Sequence, residues 1–220
     1  MLPDCGRLKK YEFVDPDKIF VFAHSLGPLI GSLVLPQEPV HGFIAAETIG
    51  RSWLEYQVEN VRRQLALVGE SPDEVDAAVR ADEVCAHHFF VQHETPDQVV
   101  KLNPRCTEMI RSYGGVPYTY MQQVGEISLG KQWKQINIPV LVIYGTSDPA
   151  TSADESRHLA DMINNFHSGQ ATYIELPGMT HGFNLYASQA EFMNRGKDPK
   201  PHPYDQQILD VISKWLEQHL

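Results

Sequence analysis

Three widely separated residues have the types that acyl transfer requires. Ser25 sits in Ala23-His24-Ser25-Leu26-Gly27, after an apolar run and before a run of small and aliphatic residues. A serine at a sharp strand-to-helix turn has its hydroxyl lifted out of the sheet and set at a helix N-terminus. There the backbone N–H of Leu26 can stabilise an oxyanion. The usual spacing is Gly-x-Ser-x-Gly, because small residues let strand and helix approach; Ala23 adds one methyl at that crowded place. By itself the pentapeptide is also compatible with chance. Asp148, in Tyr144-Gly145-Thr146-Ser147-Asp148-Pro149, follows a long apolar run and could orient a histidine or simply cap a turn. His181, in Leu176-Pro177-Gly178-Met179-Thr180-His181-Gly182-Phe183, falls in a loop and could be a base or a surface residue. Each alone is ambiguous. Together they read as nucleophile, orienting acid and base, each at a strand end and in the order Ser, Asp, His.

The elements that must position them alternate between strand and helix. Lys18–Ala23, Val40–Ala46, Pro139–Gly145 and Ala171–Leu176 are short apolar runs without strict alternation, as expected of strands covered on both faces. Ser25–Val34 reads as a helix whose first turn holds Pro28, where no intrahelical donor is lost. Ser152 to Glu155 has capping-box spacing, followed by an apolar stripe of Leu159, Met162, Ile163 and Phe166. Tyr204–His219 places Ile208, Leu209, Ile212, Trp215 and Leu216 at helical spacing, and Lys197–Pro203 reads as a linker into it. Leu8–Phe13 reads as the tail of a helix. This alternation predicts an α/β fold with a mostly parallel sheet of about four strands. From about Ile49 to Gln135 the rhythm changes to helices, at Arg51–Val68, from Ser71, from Thr95 and at Tyr118–Val124. The expected organisation is a core of 1–48 and 136–220 interrupted by a helical cap or lid, 49–135.

Over Asp15–Ile19, Ala23-His24-Ser25-Leu26-Gly27 and Ile138–Asp148 the chain resembles the α/β-hydrolase superfamily, nearest its esterase and prolyl-oligopeptidase-like members. The resemblance implies a partial α/β-hydrolase fold and a serine hydrolase acting on carboxylic esters. Ser25 would attack, His181 would carry the proton, Asp148 would hold the imidazole tautomer, and the Leu26 N–H would be an oxyanion donor. Family members carry further strands before the nucleophile strand, and a loop among them gives a second oxyanion N–H. Only 24 residues precede Ser25 here, with no His-Gly-Gly sequence among them. By resemblance the chain therefore corresponds to the C-terminal portion of the fold, with the nucleophile strand as an edge that invites self-association. Two other readings stay open: a peptidase or amidase of the prolyl-oligopeptidase type, and a non-catalytic binding module descended from the same fold.

Composition narrows the partners. The 220 residues carry a formal charge of −10, with 42% hydrophobic and 21% charged residues, as in soluble globular chains. The acidic balance argues against binding nucleic acid, and no apolar run is long enough for a membrane span. A small-molecule ester or short acyl compound is the expected partner, with no cofactor and no metal. His24, Trp53, Tyr56, Tyr118, Tyr120 and Met121 could line a substrate pocket, or the last five could pack the inserted helices. His87, His88, His93 and Glu94 near Cys85 are poorly spaced for chelation and read as a polar helix surface. The acidic stretch Glu70–Asp82 reads as solvated surface. Cys5, Cys85 and Cys106 are odd in number and lack metal-type spacing, which predicts reduced thiols and a cytoplasmic location.

Overall fold

The computed structural model describes residues 5–38, 40–197 and 202–220. In chain order the first elements are α1 (Cys5–Leu8), β1 (Phe20–His24), α2 (Gly27–Val34) and β2 (Gly42–Ala46). A helical series follows: α3 (Trp53–Leu67), α4 (Pro72–Ala86), a π-helical turn (His87–Val91), α5 (Pro96–Leu102), α6 (Cys106–Ser112), α7 (Tyr118–Gly125) and α8 (Leu129–Trp133). The chain then returns through β3 (Val140–Gly145), α9 (Ala153–Phe166), β4 (Ala171–Leu176), α10 (Gln189–Met193), a 3-10 turn (Arg195–Lys197) and α11 (Gln207–His219). It divides into two compact units, one of Met1–Gly50 with Leu129–Leu220, the other of Arg51–Ser128.

The first unit is built on a parallel sheet in the order β1-β2-β3-β4. The two central strands are buried along their whole length, which is why their sequences are apolar without alternation. One face, with Ile44, Ala46, Leu141 and Ile143, packs on Ile208 and Trp215 of α11 and on Leu176 and Met179. The other face carries Phe43, whose ring meets Trp133 of α8 and closes on Gly31 of α2, where a Cβ would stand 2.8 Å from the ring. Helices therefore cover both faces, and the C-terminal ends of the four strands are left to carry loops, the usual place for a site in such sheets.

The second unit is helical. Three of its helices begin with reciprocal capping boxes, Ser52 with Glu55, Ser71 with Glu74 and Thr95 with Gln98. Its interior includes Val75, Val79, Phe89, Phe90, Val99 and Met109.

Several expectations need correction. Cys85 and Cys106 form a disulfide rather than free thiols: the end of α4 and the start of α6 bring their Cα atoms within 5.4 Å, a closeness that a 21-residue spacing conceals. The cysteine argument for a reducing compartment falls with it. Asp82 is buried on α4, not part of a solvated face. Of the helix tail expected over Leu8–Phe13 only Leu8 is helical, as the last residue of α1; beyond it the chain is turn and bend, with Lys10 and Tyr11 bonding three residues back, and Tyr11 and Phe13 stay exposed, so no packed face sustains a helix. The last helix begins at Gln207, because Tyr204 bridges to Asn184 instead. Phe166 and Leu209 are exposed members of their stripes. Residues 198–201 of the expected linker lie outside the described residues. Among the described residues no helix is long and apolar enough to cross a membrane.

Candidate active site

Ser25 occupies the turn between β1 and α2 with φ at +59°, a left-handed conformation that costs a residue with a Cβ about 1–2 kcal/mol. Two bonds to the next strand end hold it there. Its N–H donates to the Ala46 carbonyl at 3.0 Å, and its carbonyl accepts from the Thr48 hydroxyl at 2.8 Å. Pro28 falls in the first turn of α2, and Leu26 is the N-cap, so its N–H lies at the positive end of the helix. The close approach rests on Gly27: a Cβ there would stand 3.3 Å from the Cβ of Ala23. Alanine is tolerated two places before the serine because glycine stands two places after it.

Asp148 and His181 come from the loops after β3 and β4. These loops are tied to each other: Ser147 N–H donates to the Met179 carbonyl at 3.0 Å, Gly178 N–H to Thr146 Oγ1 at 2.9 Å, and the Ser147 hydroxyl to the Tyr186 carbonyl at 2.8 Å. The result is a continuous chain of side chains. His181 Nδ1 lies 2.9 Å from Asp148 Oδ2, and His181 Nε2 lies 2.9 Å from Ser25 Oγ. A carboxylate can only accept, so the proton sits on Nδ1 and leaves Nε2 free to accept from the Ser25 hydroxyl.

Asp148 is fully buried. Its Oδ1 accepts the Ala150 N–H at 2.7 Å, and its Oδ2 also accepts the Thr151 hydroxyl at 2.6 Å. Burial pushes the carboxyl up, but the hydrogen bond and charge of His181, with further bonds from Glu47 and Thr151, outweigh it and hold Asp148 below its ordinary value. His24, beside the serine, donates from Nε2 to the His181 carbonyl at 2.9 Å. Burial, then the charge of His181, lowers its pKa and favours the neutral ring.

The remaining residues expected to line a pocket belong to the helical unit. Trp53 and Tyr56 pack ring on ring at 5.0 Å, Met121 is buried, Tyr120 is half-buried and Tyr118 is exposed. His88 pairs with Glu94 and His93 with Glu126, so these histidines face carboxylates rather than one another. One buried residue near the triad escaped the sequence reading. Glu47, directly after β2, is fully enclosed and brings a carboxylate oxygen within 4.8 Å of a carboxylate oxygen of Asp148 and a ring nitrogen of His181. Its signal is a lone acid ending the apolar run Phe43-Ile44-Ala45-Ala46, the same placement relative to a strand that singles out Asp148.

No family model matches the chain. Of the curated proteins, mouse coiled-coil domain-containing protein 22 is 25% identical over an alignment of 185 residues that covers 76% of this chain and 29% of that protein. This chain thus spans under a third of the length of that relative. Among solved structures, the Pyrococcus horikoshii acylaminoacyl peptidase superposes with a TM-score of 0.51 at 14% identity, over 98% of this chain and 26% of that one. Est1E from Butyrivibrio proteoclasticus superposes with a TM-score of 0.50 at 14% identity, over 97% of this chain and 65% of that one. At such identities the likeness concerns the fold.

Proposed function

We propose that this chain, whose four-stranded sheet and flanking helices form part of an α/β-hydrolase fold, is a serine hydrolase acting on carboxylic esters. The observation that carries the reading is the double engagement of His181, with Ser25 on one ring nitrogen and Asp148 on the other. Ser25 Oγ attacks the ester carbonyl as its proton passes to His181 Nε2. The imidazolium so formed is stabilised by ionised Asp148, and the Leu26 N–H faces the developing oxyanion. His181 then returns the proton to the departing alkoxide, leaving an acyl-serine. Water, deprotonated by the same nitrogen, releases the acid and restores Ser25. No cofactor enters these steps.

Esters suit this site better than amides. An amide nitrogen needs stronger leaving-group protonation and a full oxyanion hole, and each donor of that hole is worth about 10²–10³ in rate. The reading assigns one such donor, Leu26. A cap role for the inserted helices and self-association through β1 belong to the same proposal.

The test is hydrolysis of short p-nitrophenyl esters by the wild type and by Ser25→Ala. The expected outcome is turnover by the wild type that falls at least a thousandfold in the variant. Equal rates for the two proteins would reject the mechanism. A folded wild type that turns over neither esters nor aminoacyl amides would favour a binding module.

A further inference from the structure

Glu47 is a carboxylic acid enclosed beside a carboxylate, and its surroundings account for one of its oxygens but not for the other. It follows β2 with φ at +50°, its N–H bonded to the Ile143 carbonyl at 2.9 Å. Oε1 accepts the Gly145 N–H at 2.7 Å across the β2–β3 junction. Gly145 is required there, since a Cβ would stand 2.6 Å from that oxygen. Oε2 is sealed from water, with no donor in bonding geometry. The neighbouring Thr151 hydroxyl gives its proton to Asp148 Oδ2.

A buried acceptor without a donor costs about 1–3 kcal/mol, and more if it is charged. Two adjacent carboxylates can both be satisfied when one carries a proton and gives it to the other. The lone pairs allow it: a carboxylate offers about four acceptor sites, and Ala150, Thr151 and His181 occupy three of those on Asp148. The partner that keeps the proton is fixed by asymmetry, because Asp148 has His181 as a donor and Glu47 does not.

Resting on the serine-hydrolase reading, we propose that Glu47 is a positioning residue that stands in the site as a neutral acid, donates its proton to Asp148, and so keeps Asp148 ionised and aimed at His181. The pair carries one negative charge throughout turnover. When Ser25 passes its proton to His181, the Glu47 proton stays where it is, as a fourth hydrogen bond to Asp148. Burial, followed by the charge of Asp148, pushes the Glu47 carboxyl well above its ordinary value, in keeping with this state. The groups facing it are Asp148, Thr151 and the Gly145 amide from the β3 side and His181 from the loop after β4. None of these is a cation close enough to favour its ionisation except His181, which is spent on Asp148.

Three variants test this. Glu47→Gln keeps both functions, a carbonyl for Gly145 N–H and an N–H for Asp148, but cannot ionise. It should hold kcat within about twofold at neutral pH. It should also retain activity at the alkaline pH where the wild type loses it, because there Glu47 ionises beside Asp148. Glu47→Ala removes the donor; kcat should fall roughly ten- to a hundredfold with KM little changed. Its acid limb should move to higher pH, since Asp148 is then protonated more easily. A role in packing alone would lower the melting temperature without moving either limb. Equal loss in both variants, or an unshifted alkaline limb in Glu47→Gln, would overturn the proposal.

A readout independent of activity uses the Ser25→Ala protein. Infrared difference spectra against Ser25→Ala/Glu47→Gln at neutral pH should show a protonated-carboxyl band belonging to Glu47. Its absence would overturn the proposal whatever the enzyme does. Its presence in a protein without hydrolase activity would leave Glu47 protonated and reject the hydrolase reading instead.

Discussion

The ring of His24 lies against the ring of His181, centroids 4.6 Å apart, while its Nε2 donates to the His181 backbone carbonyl at 2.9 Å. His24 thus braces His181 from the side and from behind. His24→Ala removes both contacts, together about 1–2 kcal/mol of orientation, and should lower kcat by roughly five- to thirtyfold. His24→Phe keeps the ring contact and should recover part of the loss. Steady-state kinetics on one ester decides it.

Burial raises the pKa of Asp82 from 3.8 to about 6. A raised carboxyl pKa means that the folded chain holds a proton the unfolded chain has released. Asp82 therefore subtracts stability as pH rises from about 4 through 6, and the deficit is complete above that range. Asp82→Asn should stabilise the protein by about 1–3 kcal/mol at pH 7 to 8, with the gain vanishing below about pH 4. Urea unfolding at the two pH values is the measurement; a gain that persists at low pH would contradict the assignment.

Two of the three cysteines are bridged, Cys85 to Cys106, which leaves Cys5 without another cysteine to pair with. Thiol titration of denatured, unreduced protein should give one reactive thiol per chain, rising to three after reduction. Closing a loop of this length is worth about 3 kcal/mol, so reduction should lower the thermal midpoint. Three thiols before reduction would contradict the bridge.

β1 pairs with β2 on one side, and at the other side it is an edge among the described residues, with Phe22 in mid-strand 47% exposed. The proposed occupant is the same edge of a second copy. Light scattering should give about twice the chain mass of 24.9 kDa, and Phe22→Lys, a charge of the kind that protects edges, should return the monomer. A wild-type monomer at every concentration would contradict it.

The sheet was legible because β2 and β3 carry unbroken apolar runs and all four strands are bounded by turn residues; β4 has the bounds read from Ala171–Leu176, and β2 and β3 fall within theirs. Ser25, Asp148 and His181 were visible because each ends a strand and the order was interpretable. Glu47 also ends a strand, but an acid after Ala46 carries no motif, and its meaning depends on a proton shared with a residue 101 positions later. The contact between His24 and His181 joins the end of β1 to the loop after β4, a meeting that no local pattern specifies. The disulfide was invisible for the same reason, since helix packing, not spacing, brings Cys85 to Cys106.

The most direct measurement is covalent labelling with a fluorophosphonate probe, read by intact mass and peptide mapping. The account expects one adduct per chain, on Ser25, formed by the wild type and absent from Ser25→Ala. A folded wild type that stays unlabelled, or an adduct on any other residue, would contradict it.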